Sequence, residues 1–164
     1  MTRRRARAFG LSIGATEDGV GQVRLGGRGR GVVGRAKDES SLARRWRMTA
    51  KGELDAYFTG QLWRFSTPCD LRGLPPFTRA VLKIASKIPY GEVRSYRWVA
   101  EQLGSPKAAR AVGNALARNP IPIIIPCHRV VRTDGSLGGY ALGLDWKRRL
   151  LELERSHCRV RGAA

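Results

Sequence analysis

Acidic side chains are scarce in this chain. Only 13 Asp and Glu stand against 31 Lys and Arg, a formal charge of +18 over 164 residues, so a polyanion is the expected partner, nucleic acid first. Histidine and cysteine are scarcer still, at 2 and 3. With so few donors and no Cys-x-x-Cys spacing, a metal site is not expected. The odd number of cysteines, without a signal-peptide apolar core, predicts reduced thiols in a cytoplasmic or nuclear compartment, with cytoplasmic the reading taken. Long apolar runs are missing too. No stretch approaches the roughly 18 residues of a membrane span, and no basic amphipathic helix stands out, so no membrane partner is expected. What remains is long enough for one domain, or for two small ones sharing an interface, with a real core.

What is present converges on Ile121-Pro122-Ile123-Ile124-Ile125-Pro126-Cys127-His128-Arg129-Val130-Val131, an apolar run that ends by setting a cysteine beside a histidine and an arginine. A thiolate, not a thiol, is the nucleophile, and a free cysteine titrates near a pKa of about 8.5. Burial alone favours the neutral thiol, so a reactive Cys127 needs His128 or another partner to take its proton. The bland alternative is an inert core cysteine, which is what a lone Cys after β-branched residues usually is.

Along the chain, Met1 to Arg7 is an arginine-rich arm, and Ala8 to Ile13 and Val20 to Leu25 read as a hairpin around Thr16-Glu17-Asp18-Gly19. Gly26 to Gly31, alternating glycine with arginine, reads as a mobile basic loop. A short helix is expected over Ser41 to Met48, then a second, amphipathic one carrying Leu54, Tyr57, Phe58 and Leu62. The Pro- and Gly-rich stretch Phe65 to Pro76 connects a mixed α/β amino-terminal half to a helical remainder. It contains Cys69, around which nothing would activate a thiol. The spacing of Phe77, Val81, Ile84 and Ile88 predicts a helix that Pro89-Tyr90-Gly91 stops. Ser95 caps a short helix to Leu103, Gly104 ends it, and Ser105-Pro106 starts another that closes at Asn119-Pro120. Two short helices joined at a Gly-Ser turn resemble a helix-turn-helix. Ala109, Val112 and Leu116 should face the core, leaving Lys107, Ala108, Arg110, Ala111, Gly113 and Asn114 outside. So slim a surface suits a minor groove only about 6 Å wide, with one arginine able to enter the base stack.

The run Pro126-Cys127-His128-Arg129-Val130 resembles the active-site signature of the O6-alkylguanine-DNA alkyltransferases, also called methylated-DNA–protein-cysteine methyltransferases. The likeness extends from Phe65-Ser66-Thr67-Pro68 through Ile88 to Val93, Ser95-Tyr96, Ala109 to Gly113, Asn119-Pro120 and Gly139-Tyr140 to Lys147 and Leu150 to Glu154, while the first 65 residues match only in character. It implies a small mixed α/β, ribonuclease H-like domain over residues 1–70 and a helical, winged-helix-like domain over 71–164 that binds DNA and accepts the alkyl group. It further implies a single-turnover repair protein: an O6-alkylguanine is flipped out of duplex DNA, Cys127 attacks the alkyl carbon, and the resulting thioether has no easy reverse path. No cofactor is needed. The implied partner is double-stranded DNA carrying O6-alkylguanine, with O4-alkylthymine a second lesion, and the protein is expected to be monomeric when free, its self-association on DNA left open.

By the same resemblance Arg110 holds the place of the extruded nucleotide and Tyr96 turns the phosphate beside it, within a DNA-binding set of Ser95, Tyr96, Lys107, Ala109, Arg110, Ala111 and Gly113. Tyr140 contacts the flipped base and helps neutralise its leaving anion, and backbone groups at Cys127, Val130 and Ala141 read the base. Asn119 braces the turn between helix and thiol. Two departures stand out: Ala141 replaces the serine of some relatives, and Leu82 a frequent tryptophan.

Neighbouring side chains in an extended segment point to opposite faces, so proton transfer from Cys127 to His128 requires a bridging water or a local turn. The imidazole then needs an orienting acid. Glu154 lies i+4 from Leu150 and i+3 from Leu151, on the face those leucines bury, where a carboxylate is costly unless paired. His128 is the sensible partner, against the plainer reading of a surface pair at the helix rim. Cys127, His128, Glu154, Tyr140 and Asn119 are thus the candidate catalytic residues. Rival readings fit less well. A non-catalytic lesion binder lacks the nucleophilic cysteine, a transcription regulator leaves the Cys127-His128-Arg129 run and Glu154 unexplained, and in a Cys-His hydrolase the pair would not be adjacent. Cys158, beside His157 in a basic terminus, has no evident pocket.

Overall fold

A computed structural model describes residues 10–26 and 39–162; the arginine-rich arm and the core of the Gly/Arg loop lie outside them. The chain divides into two compact units, one up to Gly73 and one from Leu74. No helix among the described residues is long and apolar enough to cross a membrane.

In the first unit, strands β1 (Leu11–Thr16) and β2 (Gly19–Leu25) pair antiparallel with an irregularity at Gly14/Ala15. The reversal uses Gly19, whose φ of 141° suits glycine alone and whose missing side chain lets the Pro68 carbonyl approach. Helix α1 spans Ser41–Phe58 without interruption, where a break after Met48 was expected. The Ser40 hydroxyl accepts from the Ala43 N–H at the start, and Gly52, with open space around it, is tolerated within. Its buried stripe of Ala43, Ala50, Leu54 and Tyr57 packs on the hairpin, which contributes Ile13, Val20, Val23 and Leu25. Gly60, at φ 74°, turns the chain away and leaves Leu62 off the helix. Glu53 then ties α1 to the next segment by accepting from the N–H and hydroxyl of both Ser66 and Thr67. Cys69 bridges to Val20, and burial pushes its thiol up to about 11, which leaves it unreactive.

The second unit is helical. Helix α2 (Pro76–Ala85) starts on a proline whose φ suits the first turn and buries Thr78, Val81, Leu82 and Ala85. That face is rotated from the expected one. Phe77 is exposed, and Ile88 is buried beyond the helix end. Strand β3 (Arg94–Ser95) leads directly into α3 (Tyr96–Gln102), where the Ser95 hydroxyl caps by accepting from the Trp98 N–H. Gly104, at φ 69°, makes the turn. Ser105 does not cap with its side chain. It opens a 3-10 turn, Pro106–Ala108, through its carbonyl, and α4 (Ala109–Ala117) follows with Val112, Ala115 and Leu116 buried. Strand β4 (Val130–Val131) pairs parallel with β3, and α5 (Leu144–Gly162) closes the unit with Lys147, Leu150, Leu151 and Glu154 buried.

Candidate active site

The apolar run folds back on itself before it reaches the thiol. Ile123 adopts φ 75°, a left-handed conformation that a β-branched residue rarely takes, and the Ile125 N–H donates to the Ile121 carbonyl to close the turn. Asn119 holds this strained reversal. Its Oδ1 accepts from the Ile121 N–H at 2.9 Å, while its Nδ2 donates to the Ile125 carbonyl and to the Cys127 Sγ, each at 3.0 Å. Cys127, His128 and Arg129 then form a 3-10 turn, so the adjacent pair sits on a curved backbone, not in an extended segment.

His128 and Glu154 are both fully buried. Nε2 of His128 lies 2.8 Å from Oε1 of Glu154. Arg129 donates to the same carboxylate from Nε at 2.9 Å and from Nη2 at 2.9 Å, and passes a further N–H to the Ile88 carbonyl at 2.6 Å. The Gly91 N–H adds a bond at 3.0 Å. Burial alone would push the Glu154 carboxyl up, but the His128 bond and the Arg129 fork outweigh it and hold the group at about 2. Burial, helped by Arg129 and Lys147, pulls His128 below its usual value against the pull of Glu154, so the ring is neutral. A neutral ring facing a carboxylate carries its proton on Nε2, which makes Nδ1 the basic nitrogen. Burial likewise pushes the Cys127 thiol up, offset in part by the Asn119 amide, the Lys147 charge and the backbone N–H groups of Cys127 and His128. At rest the site therefore pairs a protonated thiol with a neutral base.

Cys127 opens onto a cavity of about 630 Å³ lined by Tyr96, Ala109, Arg110, Gly113, Tyr140 and Ala141, with Asn114, Arg132 and Thr133 at its margins. Gly113 faces the Tyr96 ring there, with room for no more than ordinary contact, since an added Cβ would lie 3.7 Å from it. Arg110 is exposed at the cavity. The Tyr140 hydroxyl is buried with no hydrogen-bond partner among the described residues, and burial pushes that phenol well above its usual range, so it stays a donor. Of the other candidates, Ser95 serves as a helix cap, while Lys107 and Ala111 are exposed away from the cavity lining. Val130 is fully buried and does not line the cavity, its carbonyl engaging Lys147. Sequence reasoning missed Arg129 and Lys147 as members of the cluster. A signal existed for both: Arg129 is a charge inside a buried apolar run, and Lys147 precedes Leu150, Leu151 and Glu154 by i+3, i+4 and i+7 on one helical face.

Fold and site together define a protein whose helical unit holds one buried thiol, backed by a histidine–carboxylate–arginine cluster, at the floor of an open cavity. A family model described as 6-O-methylguanine DNA methyltransferase, DNA binding domain, matches residues 76–156. The methylated-DNA–protein-cysteine methyltransferase of Mycolicibacterium paratuberculosis is 54% identical over 105 residues, 64% of this chain, and the match spans 63% of that relative's length. The protein of the same name from Methanosarcina barkeri is 50% identical over 110 residues, 67% of this chain and 69% of its own. Among solved structures, Mycobacterium tuberculosis OGT in complex with DNA matches with a TM-score of 0.74 and 41% identity, covering 90% of this chain and 87% of that one. The chain belongs to the methylated-DNA–protein-cysteine methyltransferase family.

Proposed function

We propose that this protein repairs DNA by moving an alkyl group from O6 of guanine to Cys127, once per molecule. The observation that carries the reading is the cavity that Cys127 helps to line, in a turn whose histidine is held by a buried carboxylate. A lesion inside a base stack cannot present its carbon in line with such a sulfur, so the nucleotide must be extruded, at a cost of about a few kcal/mol. In the reaction the Cys127 proton passes to His128, whose imidazolium Glu154 stabilises. Sulfur forms a bond to the alkyl carbon as the carbon–O6 bond breaks, and the electron pair leaves with guanine. The Tyr140 O–H hydrogen-bonds that anion, and the proton count closes when the proton held by His128 passes through solvent to guanine, which leaves neutral as the imidazole returns to its neutral form. Asn119 keeps the sulfur aimed at the cavity. In duplex binding the helix-turn-helix of α3 and α4 enters the minor groove with Arg110 filling the vacated stack, Tyr96 turning the phosphate, and Ala109 and Gly113 permitting close approach. Ser95, Lys107 and Ala111 support the backbone contact. The finer fold likenesses, ribonuclease H-like for the first unit and winged-helix-like for the second, belong to the same proposal, supported by the hairpin under α1 and the paired β3 and β4.

Incubation with an O6-methylguanine duplex, followed by intact mass and peptide mapping, tests it. The product is expected to gain one methylene, located on Cys127, at a limit of one per chain. Turnover beyond one equivalent, or label elsewhere, would refute the reading. Arg110→Ala separates extrusion from chemistry: it should slow repair of the duplex substantially yet spare reaction with free O6-benzylguanine, which needs no flipping. Equal losses on both substrates would remove Arg110 from that role.

A further inference from the structure

Lys147 is a fully buried lysine that the alkyl-transfer steps do not use. Its ammonium has three N–H donors and meets three carbonyls, those of Val130 at 2.6 Å, Gly139 at 3.3 Å, and Leu137. Val130 belongs to β4, directly after the Cys127 turn, whereas Leu137 and Gly139 belong to the glycine-rich segment that carries Tyr140 and Ala141 into the cavity wall. That segment has little else to hold it. Residues 132–136 are exposed, and the segment's other bonds among the described residues are local: a turn through Arg132, Gly135 and Ser136, the Ser136 N–H to the Asp134 carboxylate, and the Gly143 N–H to the Tyr140 carbonyl. The Tyr96 hydroxyl donates to the same Gly139 carbonyl at 3.3 Å, an added Cβ at Gly138 would meet that hydroxyl at 2.7 Å, and the Lys147 ammonium lies 5.7 Å from the centroid of the Tyr96 ring. Residues 137–139 are therefore held by an ammonium from α5 and a ring from α3 that also lie against each other.

We propose that Lys147 is a positioning residue of the alkyl-acceptor site, tying the cavity wall that bears Tyr140 and Ala141 to the Cys127 turn so that the base pocket is formed before a substrate arrives. This rests on the alkyl-transfer reading above. An ammonium suits the task because one atom reaches carbonyls on two chain segments at once, and because its charge also lies close enough to Cys127 to favour the thiolate. Burial draws Lys147 down to about 8, so it still carries its charge near neutral pH. Removing it leaves those carbonyls short of a donor and frees the wall to move away from the sulfur.

The test compares Lys147→Met and Lys147→Arg with the unaltered full-length chain, on free O6-benzylguanine and on the O6-methylguanine duplex, reading both the rate and the final alkyl per chain. The methionine variant should lose roughly tenfold or more in rate on both substrates by the same factor, since a misplacement of about 1 Å can cost about 100-fold. Its end point should remain one alkyl per chain, and amide exchange should quicken over residues 134–143 alone. Lys147→Arg, which can still donate to carbonyls, should keep more of the rate. Lys147→Gln serves if methionine is not tolerated. An unchanged rate, a loss confined to the duplex, or an end point falling in step with the rate would overturn the proposal. Absence of label on Cys127 in the unaltered protein would overturn the alkyl-transfer reading instead.

Discussion

Serine in place of Cys127 is expected to abolish alkyl transfer from both the damaged duplex and free O6-benzylguanine, while the chain stays folded and still binds DNA. The two outcomes separate because the sulfur is the reacting atom but not a packing anchor. An oxygen in its place can keep the bond from the Asn119 Nδ2, now 3.0 Å from the sulfur, so stability should change by only about 1 kcal/mol. Its proton, however, is far harder to remove than a thiol's, and a hydroxyl oxygen is a much poorer nucleophile toward an alkyl carbon than sulfur. Mass spectrometry of Cys127→Ser after incubation with a methylated duplex should show no added methylene, and fluorescence anisotropy on the same duplex should show binding retained. Neither remaining thiol is placed to substitute. The Cys69 thiol is pushed up to about 11 by burial, and Cys158 is exposed, its Sγ 3.8 Å from the Tyr90 carbonyl and off the cavity lining. Residual transfer to either one would show that the acceptor is not Cys127.

The chemistry of the site was more legible in the sequence than its support. A cysteine and histidine at the end of an isoleucine-rich run announce themselves by residue type, and the Leu150/Leu151 period placed Glu154 on the buried face of α5, where it is fully covered. The same period also puts Lys147 on that face. Lysine is read as solvent-facing by default because it is almost never fully buried unless paired, and its partners here are main-chain carbonyls, which leave no mark in a sequence. Arg129 escaped for a related reason. Its carboxylate is the one His128 already claimed, and only the folded geometry shows a single Glu154 serving both. In the fold, local signals held where the physics is local, as at the Ser95 cap and the Gly104 turn. They slipped where tertiary packing decides. Helix α1 runs on past Met48, Phe77 turns outward from α2, and Ser105 starts its turn with a carbonyl and not a hydroxyl.

Glu154→Gln should cost both stability and transfer, and the stability loss should itself depend on pH. With the carboxylate gone, Arg129 keeps its charge in a nearly sealed site with only one amide oxygen left to accept from its N–H donors, and breaking a buried pair in this way typically costs about 3–5 kcal/mol. The pH dependence follows from where the protons sit. A carboxyl held at about 2 in the folded chain against an ordinary 4.5 contributes on the order of 3 kcal/mol, fully present above pH 4.5 and lost as pH falls through about 2. His128 acts in the same direction at higher pH. Burial keeps it below its ordinary 6.5, so the unfolded chain takes up that proton first and the fold weakens as pH drops below 6.5. Denaturant titrations of the unaltered chain should therefore show stability declining from neutral pH toward pH 3, and Glu154→Gln should start lower and show a shallower slope below pH 4.5, by the share that Glu154 contributes. Transfer at neutral pH should fall as well, because a glutamine amide cannot stabilise the imidazolium that forms as Cys127 gives up its proton. A variant with unaltered acid slope and full transfer would mean that the carboxylate neither braces the fold nor assists His128.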